Sequence, residues 1–115
     1  MPSKALAAVR YALRGVRFML AERNCRLLAL ATAAVVVTGL YFSLNALEWC
    51  AVIGATTLVW VAEGLNTALE RLTDLASPAC HPLAGQAKDI AAGAVLLAAL
   101  GAVSIGVIIF APRLL

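Results

Sequence analysis

The chain has six acidic residues, and one of them stands where a charge is least expected. Glu63 follows directly on the uncharged run from Trp49 to Ala62, so a carboxylate appears where a membrane-spanning helix should still lie in hydrocarbon. A charge at bilayer depth costs about 2.5 kcal/mol or more even on lenient insertion scales, so such a residue normally faces a protein interior or a wet cavity and has a function. At about 100° per residue, Asn66, Thr67, Glu70 and Asp74 fall within about 60° of Glu63 around a helix and form one polar stripe. Leu65, Leu69 and Leu72 take the opposite face. The stripe therefore reads as a candidate active site, in which the partly desolvated carboxylate of Glu63 could act as a general base. Glu70, two turns and about 10 Å further along, is placed instead to hold a hard divalent cation.

Glu22 is the third candidate. It is the one acid among Lys4, Arg10, Arg14, Arg17, Arg23 and Arg26, immediately before the uncharged run Leu27 to Leu47. Two readings stand side by side. Glu22 and Arg26 are spaced i,i+4 and can pair on a helix, or the carboxylate serves a metal-phosphate group at the membrane boundary.

The elements that would position these groups follow from composition. Of 115 residues 63% are hydrophobic and only 13% charged, and the mean hydropathy is +0.96, outside the usual range for a soluble domain. The expected fold is an all-α membrane protein in a single domain, 1–115. At roughly 20 residues per span there is room for three transmembrane helices and a surface helix. So small a bundle cannot bury a polar stripe alone, and a symmetric oligomer is the usual way to provide partners. The net charge of +3 is low and the basic residues cluster before the first span, which points to anionic lipid or phosphate and away from nucleic acid.

In chain order, Leu6, Val9, Leu13, Val16 and Leu20 recur at three and four residues beside Arg10, Arg14 and Arg17, which predicts a basic amphipathic surface helix over about 3–21. Spans are expected over about 27–44, 48–70 and 90–112. Tyr41, Phe42 and Trp49 mark the far interface. Pro78 and Pro82 interrupt the helix between the second and third spans. The arginine-rich N-terminus places that end in the cytoplasm, so Glu22, Glu63, Glu70, Asp74, His81, Lys88 and Asp89 share the cytoplasmic half of the bilayer.

Other chemistry finds little support. Cys25, Cys50 and Cys80 are odd in number and divided between the two sides. No Walker motif, Gly-rich phosphate loop or nucleophile elbow is present. The small residues of the third span, among them Gly93, Gly101 and Gly106, read as close helix packing.

Glu63-x-x-Asn66-Thr67-Ala68-x-Glu70 with Asp74, then His81-Pro82-Leu83-Ala84 and Ala87-Lys88-Asp89-x-Ala91-Ala92-Gly93-Ala94-Val95-Leu96-Leu97, closely resembles the small prokaryotic diacylglycerol kinase and undecaprenol kinase family. Arg14-Gly15-Val16 and Glu22-Arg23-Asn24-x-Arg26 match as well, so the resemblance covers nearly the whole chain. It implies a homotrimeric bundle in the bacterial inner membrane, multi-pass with a cytoplasmic N-terminus. It implies Mg2+ and ATP, a membrane lipid alcohol as acceptor, and active sites assembled between subunits. By that resemblance Glu63 is the catalytic base, and Glu22 and Glu70 are the magnesium ligands that bring in the ATP phosphates. Lys88 and Asp89 contact the nucleotide, with Tyr11 and His81 near it, while Asn66 and Arg14 position substrate. Three departures bear on the ATP contacts: Lys4 in place of an early arginine, Leu28 where many members have Glu or His, and Ala79-Cys80 in place of more polar residues. The Glu-Arg-Asn-x-Arg and His-Pro-Leu-Ala pieces are more similar to undecaprenol kinases.

Two other classes compete. A small multidrug exporter also uses a membrane-embedded glutamate but needs four spans. A noncatalytic assembly subunit would account for the hydropathy and leave Glu63, Glu70, Lys88 and Asp89 without a purpose.

Overall fold

Two short breaks and one proline-bounded loop divide the chain into helices α1 (Pro2–Leu20), α2 (Arg23–Tyr41), α3 (Ala46–Ala76) and α4 (Pro82–Leu114). These belong to a computed structural model that describes residues 2–115, and among them no strand occurs. Helices α2, α3 and α4 are each long and apolar enough to cross a membrane, and the chain is an all-α membrane protein. Its surface fits that solvent. Leu30, Leu97 and Ile108 are 70%, 72% and 73% exposed, which water would penalise and lipid tails do not. At 1.5 Å per residue the 31 residues of α3 extend about 46 Å, well beyond a hydrocarbon core of about 30 Å. One end of α3 must therefore project from the membrane, and the polar stripe occupies that end.

The α2–α3 turn corrects one expected boundary. The first apolar helix stops at Tyr41 instead of running to about 44, because Gly39 to Leu44 form a Schellman-type stop. Ser43 N–H donates to the Leu40 carbonyl at 3.3 Å and Leu44 N–H to the Gly39 carbonyl at 3.2 Å, with Ser43 at φ 53°. A Cβ at Gly39 would lie 2.7 Å from the Trp49 ring, so only glycine lets the turn close this tightly. Asn45 then caps α3, accepting from Glu48 N–H at 2.9 Å while Glu48 accepts from Asn45 N–H at 3.1 Å. The same Glu48 pairs with Arg113 at 2.8 Å and ties the ends of α3 and α4 together. Because the left-handed region costs a non-glycine residue about 1 kcal/mol, Ser43→Gly is expected to stabilise the fold by up to that amount. Denaturant unfolding in detergent should show the midpoint rising, with no change in the slope.

Packing is uneven. Helix α3 lies along α4 for much of its length, whereas α2 meets α3 only locally. Trp60 Nε1 donates to Thr32 Oγ1 at 3.0 Å, one polar stitch between α2 and α3 within the apolar layer. Leu44, Val52 and Ile109 form a small core at the turn end, closed by Phe42, Trp49 and Phe110. Between α2, α3 and α4 a crevice of about 350 Å³ remains, bordered by Leu28, Val35, Val59, Ala102 and Gly106. The glycines of the third span do not themselves make the expected close contact within one chain: a Cβ at Gly93, Gly101 or Gly106 would meet nothing within 4 Å.

Candidate active site

Where the polar stripe enters the apolar layer, α3 carries the two buried polar side chains found among the described residues, Glu63 at 8% exposure and Asn66 at 9%. Their burial has a local cause. The end of α1 folds over this turn, and Met19 Cε would lie 2.9 Å from a Cβ at Gly64, so the missing side chain there gives α1 its seat. Glu63 is thus buried beside the place where Met19 of α1 meets α3. On α2, Cys25 is fully buried.

Hydrogen bonding along the stripe is partial. Thr67 Oγ1 donates to the backbone carbonyl of Glu63 at 3.0 Å, which leaves the Glu63 carboxylate uncommitted. Asn66 Nδ2 donates to Glu70 Oε1 at 3.2 Å and links the buried part of the stripe to its exposed part. Asn66 Oδ1 is buried and has no partner. An unsatisfied buried acceptor costs about 1–3 kcal/mol, a strain that is retained where a ligand relieves it.

Of the two readings of Glu22, the structure lacks the local ion pair. Glu22 does not pair with Arg26; its carbonyl receives the Arg26 N–H at 3.1 Å as the first turn of α2 forms. Its carboxylate instead meets Arg71 Nη2 at 2.5 Å, across from α3. That contact carries Glu22 from the α1–α2 junction to the residue next to Glu70. Glu22 is thereby tied to α3 at the residue that follows Glu70 in the chain, while Glu63 and Glu70 lie two turns apart on α3 itself.

The remaining candidates divide. Lys88 pairs with Asp74 at 2.5 Å rather than with its neighbour Asp89, which is exposed. Lys88 precedes the apolar run that begins at Ile90, and the hydrogen bond it donates to Asp74 holds its ammonium above the ordinary lysine range, so it stays fully charged. His81 Nδ1 accepts from Leu83 N–H at 3.1 Å and caps α4. Asp74, Cys80, His81 and Lys88 border a hollow of about 460 Å³ at the α3–α4 loop. Tyr11 and Arg14 lie exposed on α1, with the guanidinium 5.6 Å from the ring centre. Sequence reasoning missed Arg71, which lies about 80° from Glu63 around the helix, just outside the stripe.

No three His, Cys, Asp or Glu side chains among the described residues come together as a metal cage. Magnesium does not require one, since it is commonly held by one or two carboxylates together with substrate phosphates. Glu22 and Glu70 are hard oxygen donors of that kind, and Asn66 Nδ2 holds one Glu70 oxygen in place. The donor set fits the ion.

Comparison with known proteins gives a consistent result. The model of the family described as prokaryotic diacylglycerol kinase matches residues 10–110. The chain is 41% identical over 93 residues to an undecaprenol kinase of Bacillus subtilis, covering 81% of this chain and 76% of that protein. It is 41% identical over 112 residues to a diacylglycerol kinase of Synechocystis sp., covering 96% of this chain but 64% of that longer protein. A diacylglycerol kinase of Escherichia coli is 30% identical over 102 residues, 88% of this chain and 84% of that protein.

Proposed function

Because this chain belongs to the prokaryotic diacylglycerol kinase family and is a lipid kinase, we propose that it transfers the γ-phosphoryl group of ATP to a lipid alcohol at the cytoplasmic face of a bacterial inner membrane. The observation that carries the site assignment is the buried Glu63–Asn66 pair at the polar end of α3, joined by Asn66 to Glu70. Glu63 takes the hydroxyl proton as the alcohol oxygen attacks the γ-phosphorus; the bond to the bridging oxygen breaks, and ADP leaves with that electron pair. Little covalent help is needed in such a transfer, so positioning and charge neutralisation dominate. Glu22 and Glu70 would hold magnesium, which would neutralise the triphosphate. Asn66 orients Glu70. Lys88, held charged by Asp74, binds phosphate, and Asp89, Tyr11, Arg14 and His81 line the approach of nucleotide and head group.

Undecaprenol is the acceptor we propose, on the Glu22-Arg23-Asn24-x-Arg26 and His81-Pro82-Leu83-Ala84 segments; overall identity is the same to a relative named for each alcohol. Purified protein in lipid should be supplied with ATP, magnesium and each alcohol separately. Phosphorylation of undecaprenol at the higher kcat/KM supports the assignment, a preference for diacylglycerol overturns the substrate, and transfer to neither overturns the reading.

The assembly we propose is a homotrimer whose sites draw on two chains. The open faces of Gly93 and Gly101 support it, since small residues in a membrane helix normally admit a neighbouring backbone. Mixing inactive Glu63→Gln subunits with Glu22→Gln subunits, at magnesium-ATP too dilute to support the latter, is expected to restore part of the activity once exchange is verified. No recovery would mean that both residues serve one site from the same chain, and a monomeric mass would reject the trimer.

A further inference from the structure

We propose that Arg71 is a phosphate-binding residue that exchanges partners: it holds Glu22 when the site lacks nucleotide, and turns to the triphosphate when magnesium takes the carboxylate. The inference rests on the reading of Glu22 as a magnesium ligand. Three observations support it. Arg71 Nη2 lies 2.5 Å from Glu22 Oε1, so its guanidinium sits against a carboxylate that must be vacated for a cation. The two side chains are 53% and 43% exposed, and an ion pair in water is worth little, so a divalent ion can displace the arginine at small cost. The third concerns where the arginine rests. Its guanidinium carbon is 5.8 Å from the centre of the Phe18 ring, which steadies a cation from α1 without consuming its donors.

The chemistry of the group completes the argument. A guanidinium presents five N–H donors in a fixed fork that matches the oxygens of phosphate as well as those of carboxylate, so the released side chain is already the right shape for its second partner. Arg71 also follows Glu70, the other proposed magnesium ligand, directly in the chain, so its long side chain starts within one turn of the place where phosphate oxygens must come. Without this exchange, magnesium binding at Glu22 would leave a positive charge beside a newly bound dication. Taking up a triphosphate oxygen removes that conflict and couples metal binding to nucleotide binding.

The experiment measures equilibrium binding of a non-hydrolysable ATP analogue, of ADP and of AMP to the lipid-reconstituted protein, with kinetics in parallel. Arg71→Gln should raise the Kd of the triphosphate with magnesium about tenfold and that of AMP by less than twofold, with the KM of the lipid alcohol unchanged. Arg71→Lys, which keeps the charge and loses the fork, should fall between the two. In the double variant Arg71→Gln with Glu22→Gln the effects should not multiply. A triphosphate Kd within twofold of the parent would overturn the proposal, as would tighter magnesium binding with unchanged triphosphate affinity, the behaviour of an arginine that only competes for Glu22. If the parent protein transfers no phosphate to any lipid alcohol, the kinase reading of this site fails; if the parent is active and Arg71→Gln binds normally, the partner exchange alone fails.

Discussion

Glu63→Gln is expected to lower turnover about a thousandfold while leaving the affinity for magnesium-ATP within about threefold of the parent, the scale of a lost general base. The amide is nearly the same size as the acid, and burial at 8% exposure favours an uncharged group, so the fold should tolerate it. What the amide cannot do is accept the hydroxyl proton. Thr67 bonds the backbone of Glu63 rather than its side chain, so no compensating network is disturbed. Steady-state turnover with lipid in excess, together with calorimetric titration of nucleotide, checks both halves. Turnover within tenfold of the parent would remove Glu63 from the role of base.

Glu22→Gln and Glu70→Gln are each expected to raise the magnesium-ATP concentration needed for half-maximal rate by about a hundredfold, since even residues that only support a metal ligand change affinity by about 10–100-fold. Each substitution removes a hard anionic oxygen from an ion whose binding depends on charge. The two variants should differ in their side effects. Glu70→Gln can still accept from Asn66 Nδ2 and should keep that link. Glu22→Gln also releases Arg71, so the α1–α2 junction loses one tie to α3. Arg26→Gln is the control, because only the backbone of Arg26 contacts Glu22. An unchanged magnesium dependence in Glu22→Gln would show that its carboxylate serves only to pair with Arg71.

The primary sequence by itself determined the architecture. Apolar runs too long for a soluble core, bounded by arginines at one end and aromatic residues at the other, require spanning helices, and helix periodicity alone puts Glu63, Asn66, Glu70 and Asp74 on one face. Sequence also singled out Glu63, because a charge within hydrocarbon is conspicuous without any knowledge of its neighbours. Partner choice lay beyond it. Glu22 has Arg23 and Arg26 nearby in the chain yet meets Arg71, 49 residues away, and Lys88 passes over the adjacent Asp89 for Asp74. Local spacing lists only the pairs one helix can make, whereas the α1–α2 break and the proline-bounded loop set which helix ends face each other. The turn at Ser43 and the seat of Met19 on Gly64 are of the same kind, since each depends on a close approach between groups that periodicity does not relate. Tertiary structure therefore decided which charges neutralise one another and which buried oxygen, Asn66 Oδ1, is left without a partner, because those outcomes depend on distance through space rather than position along a helix.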